Sequence, residues 1–182
     1  YGMGWRKFID YAKEKYGVEF TEEEAKQIRK DYFKKFSKLT SWHDRQKRIV
    51  EKLGYVRSPL GRKRRLPEVF SSEEGVRAEA ERQSINSPVQ AVPPDLTLLT
   101  LGMMDKMPGM WDECFALAQV HDALLFEVRE DCVDKWCSII KHTMENLPLK
   151  KYFGVELMVP IVVEVSVGDA WSKGEEWTGG EK

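Results

Sequence analysis

The chain has 182 residues, of which 42% are hydrophobic and 32% are charged, and its formal net charge is −1 at pH 7. With a mean hydropathy of −0.50, this composition is typical of a globular domain with enough chain to bury a core, and it excludes a membrane span. The first residues lack the charged and then apolar pattern of a signal peptide. Three cysteines without a CxxC spacing cannot all pair, which predicts reduced thiols and a cytoplasmic location.

The charge is divided along the chain. Residues 1–70 contain 19 Lys and Arg against 10 Asp and Glu, whereas residues 71–182 contain 10 basic and 20 acidic residues. A basic half in a nearly neutral protein indicates a polyanionic partner that contacts one face. Charge runs are also common on solvated helices that have no partner, and charge alone leaves both interpretations open.

The first seventy residues are predicted to be mainly helical. Thr21 and Glu24 have the spacing of a capping box, in which each side chain bonds the backbone amide of the other. Apolar residues follow at helical spacing, namely Ala25, Ile28, Tyr32, Phe33 and Phe36. A second helix is predicted from about residue 41 to residue 53, ended by Gly54. The sequences 55–57 and 65–66 flank a Ser-Pro-Leu-Gly turn, which predicts a small hairpin.

The second half is predicted to be α+β, with an antiparallel sheet backed by helices. Two apolar runs on either side of His121-Asp122 predict an antiparallel hairpin with these two residues in its turn. The other elements predicted are a helix over 73–86 interrupted at Pro88, a helix opened by Pro93-Pro94 and ending near residues 108–109, a helix over 130–146 and a long strand over 154–167.

Three groups of residues could carry chemistry. Arg62, Lys63, Arg64 and Arg65 form the densest positive cluster, which suits an anionic partner or, equally, an exposed loop. Arg82, Asn86 and Gln90 are four residues apart and are types that hydrogen-bond base edges and phosphates, although a plain polar helix face has the same pattern.

The third group is the His121-Asp122 turn. A carboxylate held rigidly at a hairpin tip can bind a hard cation such as Mg²⁺, while an isolated turn Asp more often bonds its own backbone. A zinc site built from His121, His43, His142 and a cysteine lacks regular ligand spacing and is not favoured. No GxGxxG, P-loop or GxSxG motif supports a dinucleotide, NTPase or serine-hydrolase site.

Taken in order, these segments resemble the C-terminal part of the family A DNA polymerases, the bacterial DNA polymerase I type and its phage relatives. The resemblance extends from Tyr1 to about Trp171. It is carried by Tyr1-Gly2-Met3, by Gly54-Tyr55-Val56 with Gly61-Arg62-Lys63-Arg64-Arg65-Leu66-Pro67, by Glu81-Arg82-Gln83-Ser84-Ile85-Asn86-Ser87-Pro88-Val89-Gln90, by Gln119-Val120-His121-Asp122, and by residues 165–171.

The resemblance implies a helical fingers segment over residues 1–72 and a palm segment over residues 73–182. Asp122 would be one of two metal-binding catalytic aspartates, with two Mg²⁺ ions serving attack of a primer 3′-hydroxyl on a deoxynucleoside triphosphate. Tyr1 would lie beside the nascent base pair. Contacts with the primer-template DNA would come from Arg82, Asn86, Gln90, His121, Arg62 and Arg64. The enzyme would act in the cytoplasm, at the nucleoid or in a phage host.

The sequence departs from the family pattern at three places. Ala123 replaces the Glu that usually follows His-Asp, and Pro93-Pro94 replace small residues after Gln90. The family's triphosphate-binding Arg and Lys and its second aspartate belong to segments that do not occur in these 182 residues. We therefore expect a fragment or split subunit that needs an N-terminal polymerase part for activity. The alternative is a non-catalytic DNA-binding or assembly module that retains the polymerase scaffold.

Overall fold

The computed structural model describes residues 3–179. The fold is α+β, as the sequence predicts, with seven α-helices and three short antiparallel hairpins in the described residues. The chain divides into two compact units. The first holds most of the described residues up to Val89, and the second holds those from Gln90 onwards together with Pro59–Gly61.

The first unit packs helices around a small hairpin. Its core cluster of buried hydrophobic side chains consists of Val50, Val56, Leu66, Val69 and Ala80. Its elements are α1 (Trp5–Tyr16), α2 (Glu22–Lys35), α3 (Ser37–Leu53), β1 (Tyr55–Arg57), β2 (Lys63–Arg65), a 3₁₀ turn (Pro67–Phe70) and α4 (Glu74–Gln90), whose last residue is grouped with the second unit.

The helix boundaries of this unit follow local chemistry. The predicted capping box is confirmed, because the Glu24 amide donates to Thr21 Oγ1 at 3.2 Å and the Thr21 amide donates to Glu24 Oε2 at 2.8 Å. Gly54 ends α3 with a φ of 69°, and its amide donates to the Val50 carbonyl at 2.7 Å. Helix α3 begins at Ser37, four residues before the predicted start. Helix α1 was not predicted as a separate element.

The expected interruption at Pro88 is wrong, because α4 runs without a break from Glu74 to Gln90. Proline removes the amide that would bond the Ser84 carbonyl one turn earlier. Pro88 lies only two residues before the helix ends, so the loss is confined to the last turn. Its ring is fully buried, and that packing compensates for the missing bond.

The second unit has its own core, formed by Met104, Met110, Cys114, Cys132, Trp136 and Ile140. Its elements are α5 (Val92–Met104), β3 (Cys114–Val120), β4 (Ala123–Val128), a 3₁₀ turn (Glu130–Cys132), α6 (Val133–Glu145), α7 (Leu149–Phe153), β5 (Ser166–Val167), a 3₁₀ turn (Trp171–Lys173) and β6 (Glu175–Glu176). The three cysteines are buried and free of disulfides.

One predicted helix of this unit is longer than the structure shows, and one short helix is additional. Helix α5 opens at its two prolines as expected but ends at Met104, and the chain continues in tighter turns towards Pro108. Pro108 has no amide to bond the Met104 carbonyl four residues earlier, and that carbonyl accepts instead from the Met107 amide at 2.8 Å. Helix α7, which ends at Gly154 with a φ of 66°, was not predicted.

The long strand expected over residues 154–167 is wrong. Only Ser166–Val167 is a strand, and it pairs with β6. Most side chains before it are exposed, including Met158, Val159 and Val162. The apolar alternation of this segment is strand-like, but in the described part of the chain no neighbouring strand supplies a ladder for it. Within residues 3–179, no helix combines the length and apolarity that crossing a membrane requires.

Candidate functional site

The centre of the candidate site is the turn between β3 and β4. The two strands pair antiparallel, and Val120 stands opposite Ala123, so His121 and Asp122 alone form the turn. His121 has a φ of 56°, in the left-handed region that His tolerates better than branched residues do. Both side chains are exposed. The hairpin is therefore confirmed and presents a carboxylate and an imidazole to solvent at a tip held by two strands.

The turn is tied to α5 by the side chain of Gln119. Its amide nitrogen donates to Thr97 Oγ1 at 2.5 Å and to the Pro94 carbonyl at 3.2 Å, and it lies 3.4 Å from the carbonyl oxygen of His121. Gln119 belongs to the Gln-Val-His-Asp motif, but its residue type alone predicts no role for it. The one sequence feature that points to a structural role for Gln119 is its position two residues before the turn.

The carboxylate of Asp122 fits part of a divalent-cation site. Mg²⁺ prefers oxygen ligands in octahedral geometry and is commonly held by one or two carboxylates together with substrate phosphates. Among residues 3–179, no group of three or more His, Cys, Asp or Glu side chains could hold a metal ion. The described residues thus contain no complete set of such ligands around Asp122.

A second set of candidate residues lies on α4. Because this helix is continuous, Arg82, Asn86 and Gln90 occur on successive turns, and each step of four residues rotates by only about 40° around the axis. Arg82 and Gln90 are exposed, whereas Asn86 is half-buried. Asn86 borders an apolar cleft of about 400 Å³ in the first unit, lined also by Phe8, Ile28, Tyr32, Phe33, Trp42 and Ile85.

Arg82 is engaged by a neighbouring carboxylate. Its Nε donates to Glu79 Oε2 at 2.9 Å, and its Nη2 also bonds that oxygen. This guanidinium is the main cause that lowers the pKa of Glu79, and a bond from Gln83 adds to it. Both partners are about half exposed, so the pair is solvent-screened and a phosphate could compete for the guanidinium.

The predicted basic hairpin is also present. Strands β1 and β2 pair in register, with Val56 opposite Arg64, and the cations at 62–65 are all exposed. Lys63 Nζ lies 4.2 Å from the Tyr55 ring centroid. Arg64 Nη2 donates to Gln83 Oε1 on α4 at 3.3 Å, which connects the basic hairpin to that helix. Tyr1, the predicted nucleotide-binding residue, lies outside the described residues.

In the first unit, a basic hairpin beside a polar helix is a feature of proteins that bind polyanions. In the second unit, the hairpin turn presents a carboxylate that could bind a cation. Comparison with known proteins specifies the class. The model of the family "DNA polymerase family A" matches residues 1–173. The chain belongs to this family.

The relatives agree with this assignment. The chain is 33% identical over 177 residues to a thermostable DNA polymerase I of Thermus filiformis, covering 97% of this chain and 19% of that protein. It is 31% identical to a DNA polymerase of Bacillus phage SP01, covering 84% of this chain and 17% of that protein. The chain therefore spans about a fifth of the length of these relatives.

A solved structure supports the fold as well. The POL domain of Pol1 from M. smegmatis, in complex with DNA primer-template and dNTP, matches with a TM-score of 0.74 and 30% identity. The match covers 93% of this chain and 28% of that one.

Proposed function

We propose that this chain supplies the C-terminal fingers and palm portion of a DNA-directed DNA polymerase, which transfers nucleotides to a primer 3′-hydroxyl under template direction. The observation that carries the proposal is the exposed Asp122 at the tip of the β3–β4 hairpin, in a chain whose residues 1–173 match family A. The relatives are named as DNA polymerases, and the solved relative was captured with primer-template DNA and dNTP.

In this proposal each surface has a separate task. Asp122 contributes carboxylate oxygens to a two-metal Mg²⁺ site that stabilises charge on the transferring and leaving oxygens. Its further ligands come from an N-terminal part of the polymerase, in the same or a separate polypeptide. His121 and the α4 residues Arg82, Asn86 and Gln90 contact the primer-template near its terminus. Arg62 and Arg64 lie near nucleic-acid phosphates, and Tyr1 acts as the nucleotide-binding residue beside the nascent base pair. The complete enzyme works in the cytoplasm.

These 182 residues alone are not expected to extend a primer, because a two-metal site needs several ligands and the described residues contain no group of three or more His, Cys, Asp or Glu side chains that could hold a metal. The test replaces the matching segment of the Thermus filiformis relative by this chain and measures primer extension with Mg²⁺. We refer to this hybrid as the completed polymerase. Extension should appear in the completed polymerase and be absent from the 182-residue chain.

The role of Asp122 is tested in the same assay. Asp122→Ala should lower extension by about a thousandfold or more, because a lost metal ligand removes stabilisation of the transition state. Asp112→Ala, at an exposed position before β3, is the matched control and should retain activity. Equal extension by the Asp122→Ala variant and the unmodified hybrid would exclude the proposed role.

A second candidate is a non-catalytic DNA-binding or assembly module. Ala123 favours it, because this residue stands where the family usually places a second acidic side chain after His-Asp. If this candidate is correct, the completed polymerase binds primer-template but does not extend it, and Asp122→Ala leaves DNA affinity unchanged.

A further inference from the structure

We propose that Thr97 and Gln119 are positioning residues that fix the β3–β4 turn and thereby the direction in which Asp122 is presented. This inference rests on the proposed function for its consequence in catalysis. It concerns side chains to which neither the family match nor the sequence motif assigns a task.

The geometry is a three-way bridge made by one amide group. Gln119 Nε2 lies 2.5 Å from Thr97 Oγ1, 3.2 Å from the Pro94 carbonyl and 3.4 Å from the His121 carbonyl. The Thr97 hydroxyl in turn donates to the Pro94 carbonyl at 3.0 Å. A primary amide has two N–H donors, so the side chain can bond the first turn of α5 and the hairpin tip together.

The bridge acts on the peptide group that leads into Asp122. The His121 carbonyl belongs to the bond that joins His121 to Asp122, so a donor held against it restrains the orientation of that peptide plane. His121 also has a left-handed φ of 56°, which non-glycine residues adopt rarely and which needs support from its surroundings. Gln119 supplies such support at the peptide group between His121 and Asp122.

The anchor at the other end is rigid. Thr97 is 2% exposed, so its hydroxyl cannot exchange Gln119 for bulk water without loss. Pro93 and Pro94 open α5 at its first positions, and their rings fix φ. The two prolines, which depart from the family pattern, thus restrict the backbone at the Pro94 carbonyl. This carbonyl accepts hydrogen bonds from both Thr97 and Gln119.

Thr97→Val tests the bridge, since it removes the hydroxyl with little change of shape. Thr100→Val is the matched control, because Thr100 is on the same helix, is fully buried and bonds the Leu96 carbonyl at 2.9 Å. In the 182-residue chain, hydrogen exchange of the turn amides at 121–123 should be about tenfold faster in Thr97→Val and unchanged in Thr100→Val, relative to the starting chain.

The completed polymerase provides the kinetic readout. Thr97→Val should lower kcat about tenfold and leave the KM for primer-template unchanged, because supporting contacts of a metal ligand are commonly worth ten- to a hundredfold. Thr97→Ser should restore kcat by returning the hydroxyl. Gln119→Leu should have a similar effect, and the double variant with Thr97→Val should be no slower than Gln119→Leu alone.

The outcomes separate this inference from the proposed function. Equal exchange rates at the turn in Thr97→Val and Thr100→Val would overturn the bridge, whatever the polymerase does. Additive kinetic losses in the double variant would overturn it as well. If Asp122→Ala leaves extension intact, the proposed function fails, while the exchange experiment in the 182-residue chain still decides whether the bridge holds the turn.

Discussion

Glu113, the residue before β3, forms hydrogen bonds with two side chains in the first turn of α6. Its Oε2 accepts a hydrogen bond from Trp136 Nε1 at 2.9 Å and an ion-paired bond from Lys135 Nζ. These bonds, the one from Lys135 foremost, lower the pKa of Glu113. Trp136 is fully buried in the core of the second unit, so this carboxylate satisfies the single polar atom of its indole ring. A stability effect with a definite pH dependence follows.

A carboxyl whose pKa is lowered by folding stabilises the protein above its unfolded pKa of about 4 and loses that effect as pH falls through the folded pKa. We therefore expect Glu113→Gln to lower the midpoint of unfolding near neutral pH and to flatten the loss of stability below pH 4. Urea unfolding between pH 7 and pH 3 measures this. Glu127→Gln, at an exposed position on β4, is the control. Identical pH profiles for Glu113→Gln and the unchanged protein would contradict the expectation.

At the scale of elements, sequence prediction succeeds where the determining interactions are local. The capping box at Thr21 involves residues three apart, and the His121-Asp122 turn is defined by the apolar runs on either side of it. Prediction fails where distant packing decides. Burial of Pro88 sustains α4 to Gln90, and the apolar alternation over 154–167 yields a strand only where β6 is present to pair with it. The Gln119 bridge depends on Thr97, which is 22 residues away.

The junction between α3 and β1 allows a prediction at this scale. Gly54 has a φ of 69°, and a Cβ at this position would lie 2.9 Å from the Phe70 ring. Gly17, at the end of α1, has a φ of 65° and nothing within 4 Å of an added Cβ. Gly17→Ala should cost about 1–2 kcal/mol from backbone strain alone, and Gly54→Ala should cost more.

Denaturant unfolding of the two variants measures the difference. The additional loss of stability in Gly54→Ala reports displacement of the Phe70 ring. This ring lies beside Gly54, the residue before the hairpin that carries Arg62 and Arg64. A loss no greater than that of Gly17→Ala would show that the exposed ring moves aside without cost. No loss in either variant would contradict the argument from left-handed backbone.

At the scale of the whole molecule, the basic part of the sequence lies within one of the two compact units. All Lys and Arg residues up to position 70 belong to the first unit, whereas Asp122 belongs to the second. The α+β class and the hairpin turn could be predicted from sequence, because apolar patterning determines both. The ligands that complete a metal site could not be located in the sequence, and among the described residues no group of three or more His, Cys, Asp or Glu side chains provides them. The predicted boundary between a fingers segment and a palm segment, at residue 72, stays a prediction. The division into compact units, after Val89, is a division by packing and does not test it.

The division of charge predicts how the chain binds duplex DNA. Each phosphate contact that releases a counterion adds about 0.9 to the slope of log affinity against log salt. If Arg62 and Arg64 each contact a phosphate, the double variant Arg62→Gln/Arg64→Gln should reduce that slope by about 2. Lys30→Gln/Lys34→Gln on α2 removes the same charge at two exposed positions and should change the slope less. Fluorescence anisotropy with a labelled primer-template, over a salt series, provides the measurement. Equal changes in slope would assign the affinity to the general positive field of the first unit, and a salt-independent affinity would exclude phosphate contacts by this half of the chain.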